Sequence, residues 1–207
     1  MLLPELKFVL EAALLAADEP LSMDRLQNLF EDNQQPSRDT VQRAVADLRQ
    51  DYAGRSIELV EVASGFRIQV RQEFAPWVSR LWEERSARYS RALLETLALI
   101  AYRQPITRGE IEDVRGVSVS TSIIKTLVER SWIKVVGHRE VPGRPALYGT
   151  TKVFLDYFNL RSLADLPPLS EIRDLEAIGQ QLDLLRMTAD PVPDPPLSSE
   201  TNGLSPS

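Results

Sequence analysis

The sequence has no cysteine and a single histidine among its 207 residues. Without cysteine the chain forms no disulfide and offers no thiolate, which is compatible with an intracellular protein. The longest apolar stretch, residues 93–101, is interrupted by Glu95 and Thr96 and falls well short of the roughly 20 residues that span a membrane. The N-terminus has Glu5 where a signal peptide carries basic residues. We therefore expect a soluble cytoplasmic protein.

Residues that commonly carry catalysis or bind metals are sparse as well. His138 has no cysteine to pair with and precedes a turn, so a structural or surface role is the favoured interpretation. The acidic residues Glu110, Glu112 and Asp113 fall near the start of a predicted helix, where negative charge complements the helix dipole. No glycine-rich segment has the strand–loop–helix setting of a phosphate cradle. The sequence thus predicts a non-enzymatic protein without a metal site or cofactor.

The net charge of −6 is unevenly distributed along the chain. Residues 1–87 carry 10 basic and 15 acidic side chains, residues 88–150 carry 10 and 6, and residues 151–207 carry 4 and 9. A protein that binds DNA mainly through phosphates is usually basic overall. Only the middle segment has a cationic surplus, and this surplus is modest.

The first part of the chain predicts three helices followed by a β-hairpin. Apolar residues recur at helical spacing over residues 4–17, and Ser22 is placed to cap a second helix. A third helix is expected over residues 37–52. From Ile57 onward the apolar period changes to two on both sides of the Ser64-Gly65 turn, which is typical of a hairpin with one buried face.

The same order recurs about 85 residues later, measured from Pro20 to Pro105. Thr107 and Glu110 have capping-box spacing at the start of a second helix. Ser118 or Ser120 caps a third helix, whose predicted core face includes Val128, and a hairpin follows. Pro142-Gly143 fits the centre of a type II turn in that hairpin, and Thr151 caps a final short helix.

These patterns predict a mainly α protein with short β-hairpins, of the α+β class, built from two tandem winged-helix domains joined by a helical linker. The expected divisions are an N-terminal winged helix over residues 1–73, a linker helix over 74–87 and a C-terminal winged helix over 88–166. An amphipathic helix over 167–189 and a disordered tail over 190–207 follow them.

A winged helix can bind either DNA or protein. For DNA, the third helix of the second domain offers Lys125 and Arg130, and the wing offers Arg139 and Arg144. For protein docking, a further set of aromatic residues could act as interface anchors. These residues are Trp77, Trp82, Trp132 and Tyr148, and for Trp132 a place in the core is favoured.

Six segments of the second half resemble the segregation and condensation protein B family, among them residues 114–117, 124–130 and 154–158. The other three are the longest or most specific, namely residues 98–111 (Ala-Leu-Ile-Ala-Tyr-Arg-Gln-Pro-Ile-Thr-Arg-Gly-Glu-Ile), residues 137–145 (Gly-His-Arg-Glu-Val-Pro-Gly-Arg-Pro) and residues 147–151 (Leu-Tyr-Gly-Thr-Thr). The resemblance is dense over residues 95–166 and does not extend beyond Pro168.

The resemblance implies a non-enzymatic adaptor of the bacterial SMC condensin complex, acting in chromosome condensation and partition at cell division. It implies a homodimer that binds the kleisin subunit and, through it, the SMC ATPase, with DNA contacted weakly or indirectly at the nucleoid. The N-terminal domains are then expected to dimerise and the C-terminal domains to hold the kleisin. Candidate partner contacts are Arg103, Arg115, Arg144 and Tyr148, and the alternative is a DNA-binding transcription regulator.

Overall fold

The computed structural model describes residues 5–31, 33–81 and 89–168. Helices and small antiparallel sheets alternate along these residues, so the predicted α+β class is confirmed. Two hydrophobic clusters that share no residue hold the chain together. We call residues 6–70 the first unit and residues 89–166 the second unit, because each range contains one of these clusters.

The first unit contains three helices and a hairpin. Its elements are α1 (Leu6–Ala16), α2 (Met23–Gln27), α3 (Arg38–Asp51), β1 (Ile57–Val62) and β2 (Gly65–Val70). The two strands pair antiparallel from Ile57–Val70 to Val62–Gly65. As predicted, the Ser22 hydroxyl caps α2 by accepting a hydrogen bond from the Arg25 N–H.

The core of the first unit comes from the apolar stripe of each helix. Leu10 of α1, Leu26 of α2 and Val41 of α3 have no exposed surface. Leu59 and Phe66 close the core from the hairpin. A backbone bridge between Leu21 and Phe66, with two hydrogen bonds of 2.9 Å, attaches the hairpin to the start of α2.

The segment between the units does not form one long helix over its described part. A four-residue helix, α4 (Ala75–Val78), lies between 3-10 turns at Gln72–Phe74 and Ser79–Leu81. Trp77 and Leu81, two apolar residues of this segment, are 65% and 76% exposed. Residues 82–88, including the rest of the predicted linker helix, lie outside the described residues.

The second unit repeats the order of the first with an added strand and a final helix. Its elements are α5 (Arg91–Arg103), β3 (Ile106–Thr107), α6 (Arg108–Arg115), α7 (Thr121–Glu129), β4 (Ile133–His138), β5 (Ala146–Thr150) and α8 (Lys152–Tyr157). The strands form one antiparallel sheet in the order β3-β5-β4, with a bulge between Val135 and Gly137 of β4.

Hydroxyl side chains begin the helices of this unit at the expected places. The Thr107–Glu110 capping box is present at α6, Ser120 caps α7 and Thr151 caps α8. Gly116 ends α6 in the left-handed conformation with φ 69°. The local sequence therefore determines where each of these helices begins.

Packing between elements departs from the sequence pattern in α7. Val128 is predicted on the core face of α7 but is 44% exposed. Leu127 beside it points into the core instead and has no exposed surface. Only the first two residues of the predicted helix at 167–189 are described, and they are not helical. The rest of that helix and the predicted tail over 190–207 lie outside the described residues.

Candidate protein-interaction surfaces

Helix α1 exposes an apolar face on the side opposite its core contacts. Phe8 and Leu15, seven residues apart, lie on the same side of the helix and are 54% and 59% exposed. Ala12 lies between them and is exposed as well. Leu10 and Leu14 face the core. Because α1 is apolar on both sides, one side remains available for a contact outside the first unit.

Two polar contacts fix the orientation of α1 against the end of α3. Lys7 forms an ion pair with Asp51 at 2.7 Å, and the Tyr52 hydroxyl donates a hydrogen bond to Glu11 over 2.7 Å. Burial, followed by this hydrogen bond, raises the pKa of Tyr52 to about 12. These contacts keep the outer face of α1 turned away from its own core.

The start of α6 is joined to the hairpin of the second unit through Glu110. Its carboxylate accepts hydrogen bonds from the Thr107 backbone N–H at 2.8 Å and from the Arg139 guanidinium. The bond from Arg139, and then the bond from Thr107, lower the pKa of Glu110 to about 2. One of the three acidic residues considered as a metal cluster therefore holds the hairpin against α6.

The hairpin between β4 and β5 ends in the predicted tight turn. The Arg144 N–H donates to the Val141 carbonyl over 2.9 Å, and Gly143 has φ 85°. Arg144 also has a positive φ of 38°, and its guanidinium donates to Glu140 over 3.2 Å. The tip of the hairpin thus presents an arginine that is paired with a carboxylate of the same turn.

Exposed valines surround the same hairpin. Val135 and Val136 of β4, Val141 of the turn and Val128 of α7 are each between 44% and 50% exposed. Strand β4 lies at one edge of the sheet, and no second strand pairs with it within residues 89–168. An unpaired strand edge beside exposed apolar side chains is a surface suited to a partner chain.

The four residues predicted to contact a partner occupy different settings. Arg144 lies at the hairpin tip with 71% of its side chain exposed, and Tyr148 is half-buried in β5 of the same hairpin. Arg103 is exposed at the last residue of α5. Arg115 is only 9% exposed and donates to Glu95 of α5 over 3.0 Å.

These settings separate the four residues instead of gathering them. Glu95, the partner of Arg115, precedes Arg103 by eight residues, which corresponds to about 12 Å along α5. Arg103 and Arg115 therefore lie towards opposite ends of that helix, and Arg144 and Tyr148 belong to the hairpin. Sequence reasoning missed the exposed valines, because a strand pattern does not reveal which strand lies at the edge of a sheet.

Trp132 lies in the core of the second unit, as the favoured interpretation of the sequence has it. It is 2% exposed, and its ring packs against Tyr89 at 5.1 Å, Tyr157 at 4.7 Å and Phe158 at 5.4 Å between centroids. The guanidinium of Arg130 lies 4.9 Å from the centre of the Tyr89 ring. Its burial excludes Trp132 as a surface anchor, whereas Trp77 is exposed and Trp82 lies outside the described residues.

The groove between α3 and the β1–β2 hairpin is lined by two arginines that are engaged within the first unit. Arg38 pairs with Asp24 at 3.2 Å, and Arg49 donates to the Leu59 carbonyl over 3.3 Å.

Within the described part of the chain, acidic and histidine side chains form no cluster that could hold a metal ion. None of the described helices is both long enough and apolar enough to cross a membrane.

Comparison with known proteins identifies the class first. The model of the family described as "Segregation and condensation complex subunit ScpB" matches residues 8–169. This match defines the class of protein, namely a subunit of a complex for chromosome segregation and condensation. The chain belongs to the ScpB family.

Individual relatives agree with this assignment. A Segregation and condensation protein B homolog from Coxiella burnetii is 59% identical over 183 residues, covering 86% of this chain and 88% of the relative. Segregation and condensation protein B of Bacillus subtilis is 41% identical, covering 86% and 89%. A crystal structure of ScpB from Mycobacterium tuberculosis is 36% identical and covers 75% of this chain and 96% of that chain, with a TM-score of 0.34.

Proposed function

We propose that this protein is a homodimeric adaptor of an SMC–kleisin condensin complex, which binds the kleisin subunit in chromosome condensation and partition at cell division. It works in the cytoplasm at the nucleoid and reaches the SMC ATPase through the kleisin. Residues 1–73 and 88–166 are two tandem winged-helix domains, with helix order and hairpin position as in that fold. The first dimerises and the second holds the kleisin.

The observation that carries the proposal is the pairing of three cations that a DNA-binding surface of the second unit would use. Lys125 pairs with Glu129 at 3.5 Å, Arg144 pairs with Glu140 at 3.2 Å, and Arg139 pairs with Glu110. Cations neutralised in this way attract phosphates weakly. The exposed valines beside them favour a protein partner over DNA.

The kleisin surface is therefore proposed to consist of the free edge of β4, its valines and the hairpin tip. Val135 and Val136 would pack against apolar side chains of the partner, and Arg144 and Tyr148 would add polar contacts at the rim and along β5. Arg115 supports this surface from within the fold through Glu95. Arg103, at the end of α5, is proposed as a further kleisin contact that lies apart from this surface.

Binding of the full-length chain to the kleisin of its own organism tests this assignment. Calorimetry after nuclease treatment should show tight binding for the parent chain and at least tenfold weaker binding for Val136→Glu and for Arg144→Glu. Val153→Glu, at an equally exposed valine of α8 (48% exposed), is the matched control and should bind like the parent. Absence of binding by the parent would overturn the kleisin assignment, and equal affinity of all four proteins would overturn the proposed surface.

The parent chain and a variant that lacks the charges of both Arg139 and Arg144 distinguish this proposal from the DNA-binding alternative. A shift assay over a range of salt concentrations should show weak binding that does not depend on Arg139 or Arg144. Tight binding with a steep negative salt slope, lost on removal of these two charges, would establish the regulator instead.

The dimer is proposed to form through the outer face of α1. Packing the Phe8 and Leu15 faces of two copies against each other removes these apolar side chains from water. With a twofold axis between the copies, the same face of each copy forms the interface. Light scattering should give twice the chain mass for the parent and the single mass for the Phe8→Glu, Leu15→Glu double variant, with Val153→Glu again as the control. A monomeric parent at micromolar concentration, or a dimeric double variant, would refute this interface.

A further inference from the structure

The tip of the first hairpin contacts the end of α8 in the second unit. The Ala63 N–H donates to the Leu160 carbonyl over 2.9 Å, and the Ser64 N–H donates to the Asp156 carboxylate over 2.9 Å. These pairs are more than 90 residues apart in sequence. Both backbone N–H groups of the turn are thus satisfied by the other unit.

Arg67 of β2 extends this contact with a side chain that has little access to water. Its Nη2 donates to the Asn159 side-chain oxygen over 2.6 Å, and its Nε is buried without a hydrogen-bond partner. Burial lowers the pKa of the guanidinium, while the nearby Asp156 carboxylate acts in the opposite direction. Arg67 is therefore held between the units by one hydrogen bond and one opposite charge.

The backbone of the second unit is shaped to receive these groups. Asn159 has φ 56°, in the left-handed region that asparagine tolerates better than most residues, and so turns the chain after α8. That turn brings the Leu160 carbonyl and the Asn159 side chain to the same hairpin tip. The Asp156 carboxylate comes from the last turn of the helix itself.

The contact is polar, and the hydrophobic clusters do not extend across it. One cluster draws its members from residues 6–68 and the other from residues 89–166. Hydrogen bonds and one charge pair can break and exchange for water without exposing either core. The relative orientation of the units therefore depends on interactions that are weaker than those within each unit.

We propose that the first hairpin tip and the end of α8 form a latch, made of Ser64, Arg67, Asp156 and Asn159, that sets the angle between the two units. When the latch is closed, the hairpin tip is covered and the units move as one body. When it opens, the two units change their relative orientation while both cores stay folded. This device concerns the shape of the single chain and holds whether or not the partner is a kleisin.

The distance between two spin labels, one in each unit, reports the relative orientation of the units. Because the chain has no cysteine of its own, each label can be attached at a single introduced cysteine. Gln50→Cys on α3 and Lys134→Cys on β4 are exposed positions that place one label in each unit. Labelled chains are mixed with an excess of unlabelled chain, so that pairs within one chain dominate. The parent should give one narrow distance distribution.

Removing either side of the latch should then widen this distribution at least twofold. Arg67→Ala and Asp156→Ala are the two test variants, one from each unit. The matched control is Arg71→Ala, because Arg71 directly follows β2 but pairs with Glu58 of the first unit at 3.3 Å. The control should keep the width of the parent.

Circular dichroism of each labelled protein shows whether both units remain folded. If Arg67→Ala unfolds the first unit, the width of the distance distribution in Asp156→Ala, which removes the contact from the second unit, tests the latch. A parent distribution as wide as that of the two latch variants overturns the latch, and so does an unchanged width in a folded Asp156→Ala chain.

Discussion

Arg115, the last residue of α6, donates a hydrogen bond to Glu95 of α5 over 3.0 Å. A second bond, from Arg115 to the Thr96 hydroxyl over 3.4 Å, lies beside the first, and the arginine side chain is 9% exposed. The pair connects two helices whose sequences give no sign that they meet at this point. Arg115 is therefore a structural residue of the second unit, and we expect it to affect a partner only through the fold of that unit.

Replacing Arg115 with alanine should lower the free energy of unfolding by about 1–3 kcal/mol, because Glu95 then loses a charged donor in a poorly hydrated place. Urea unfolding measures this loss. Arg103→Ala removes an exposed arginine at the last residue of α5 and should change the free energy of unfolding by less than about 0.5 kcal/mol. An Arg115→Ala chain of unchanged stability that no longer binds the kleisin would instead make Arg115 a direct contact.

Gly65→Ala should disrupt the attachment of the hairpin to α2. A Cβ at Gly65 would lie 2.2 Å from the Leu21 carbonyl oxygen, and the φ of 144° disfavours any side chain. We expect the free energy of unfolding to fall by about 3 kcal/mol or more in urea titrations.

Gly109→Ala is the matched control for that change. Gly109 lies in α6, and a Cβ there meets no atom within 4 Å. Alanine favours the helix over glycine, so this variant should gain up to about 1 kcal/mol. A Gly65→Ala chain as stable as the parent would show that the close approach to Leu21 does not hold the hairpin.

Glu110 should make the stability of the second unit depend on pH. Its pKa of about 2 in the folded chain lies below the usual 4.5, so the folded state favours the charged carboxylate. The stabilisation is fully present above about pH 4.5 and is lost as the pH falls from there towards 2. Glu110→Gln should thus be less stable than the parent at pH 7, and the difference should shrink below pH 4.5.

The cause of this dependence can be isolated by removing Arg139, which lowers the pKa of Glu110 most. In an Arg139→Ala background, the further change Glu110→Gln should alter the stability at pH 7 by less than it does in the parent, and the difference should vary less with pH. Urea unfolding at a series of pH values provides the comparison. An unaltered pH profile in that background would attribute the effect to the Thr107 N–H instead.

Gln104 should be a further point at which the second unit is sensitive to substitution. Its side-chain oxygen accepts the Thr150 N–H over 2.7 Å, and its amide nitrogen donates to the Ala101 carbonyl over 3.1 Å. Gln104→Ala should cost about 1–3 kcal/mol in urea unfolding, since the Thr150 N–H loses its acceptor. Gln50→Ala, at an exposed position of α3, should be close to neutral.

The features that the sequence predicts correctly are local ones. A hydroxyl at Ser22 or Thr151, and the Thr107–Glu110 pair, act within three residues of themselves, so their capping roles follow from spacing alone. The Pro142-Gly143 turn is local in the same sense. The starts of these three helices and the Pro142-Gly143 turn could therefore be placed from the sequence alone.

The features that could not be predicted depend on how distant elements cross. Val128 turns outward and Arg115 turns inward because of the way their helices meet neighbouring elements. The contact of Arg67 with Asn159 joins residues 92 positions apart. Periodicity reports which side of an element is apolar, but it does not report which neighbour that side meets.

The burial of Trp132 has a spectroscopic consequence. The first unit contains no tryptophan, and the other two tryptophans of the chain, Trp77 and Trp82, lie in the segment between the units. In a chain with phenylalanine at those two positions, all indole emission would come from the interior of the second unit, whereas far-ultraviolet ellipticity would report both units. Emission and ellipticity followed along one denaturation curve would then separate the melting of one half from that of the other.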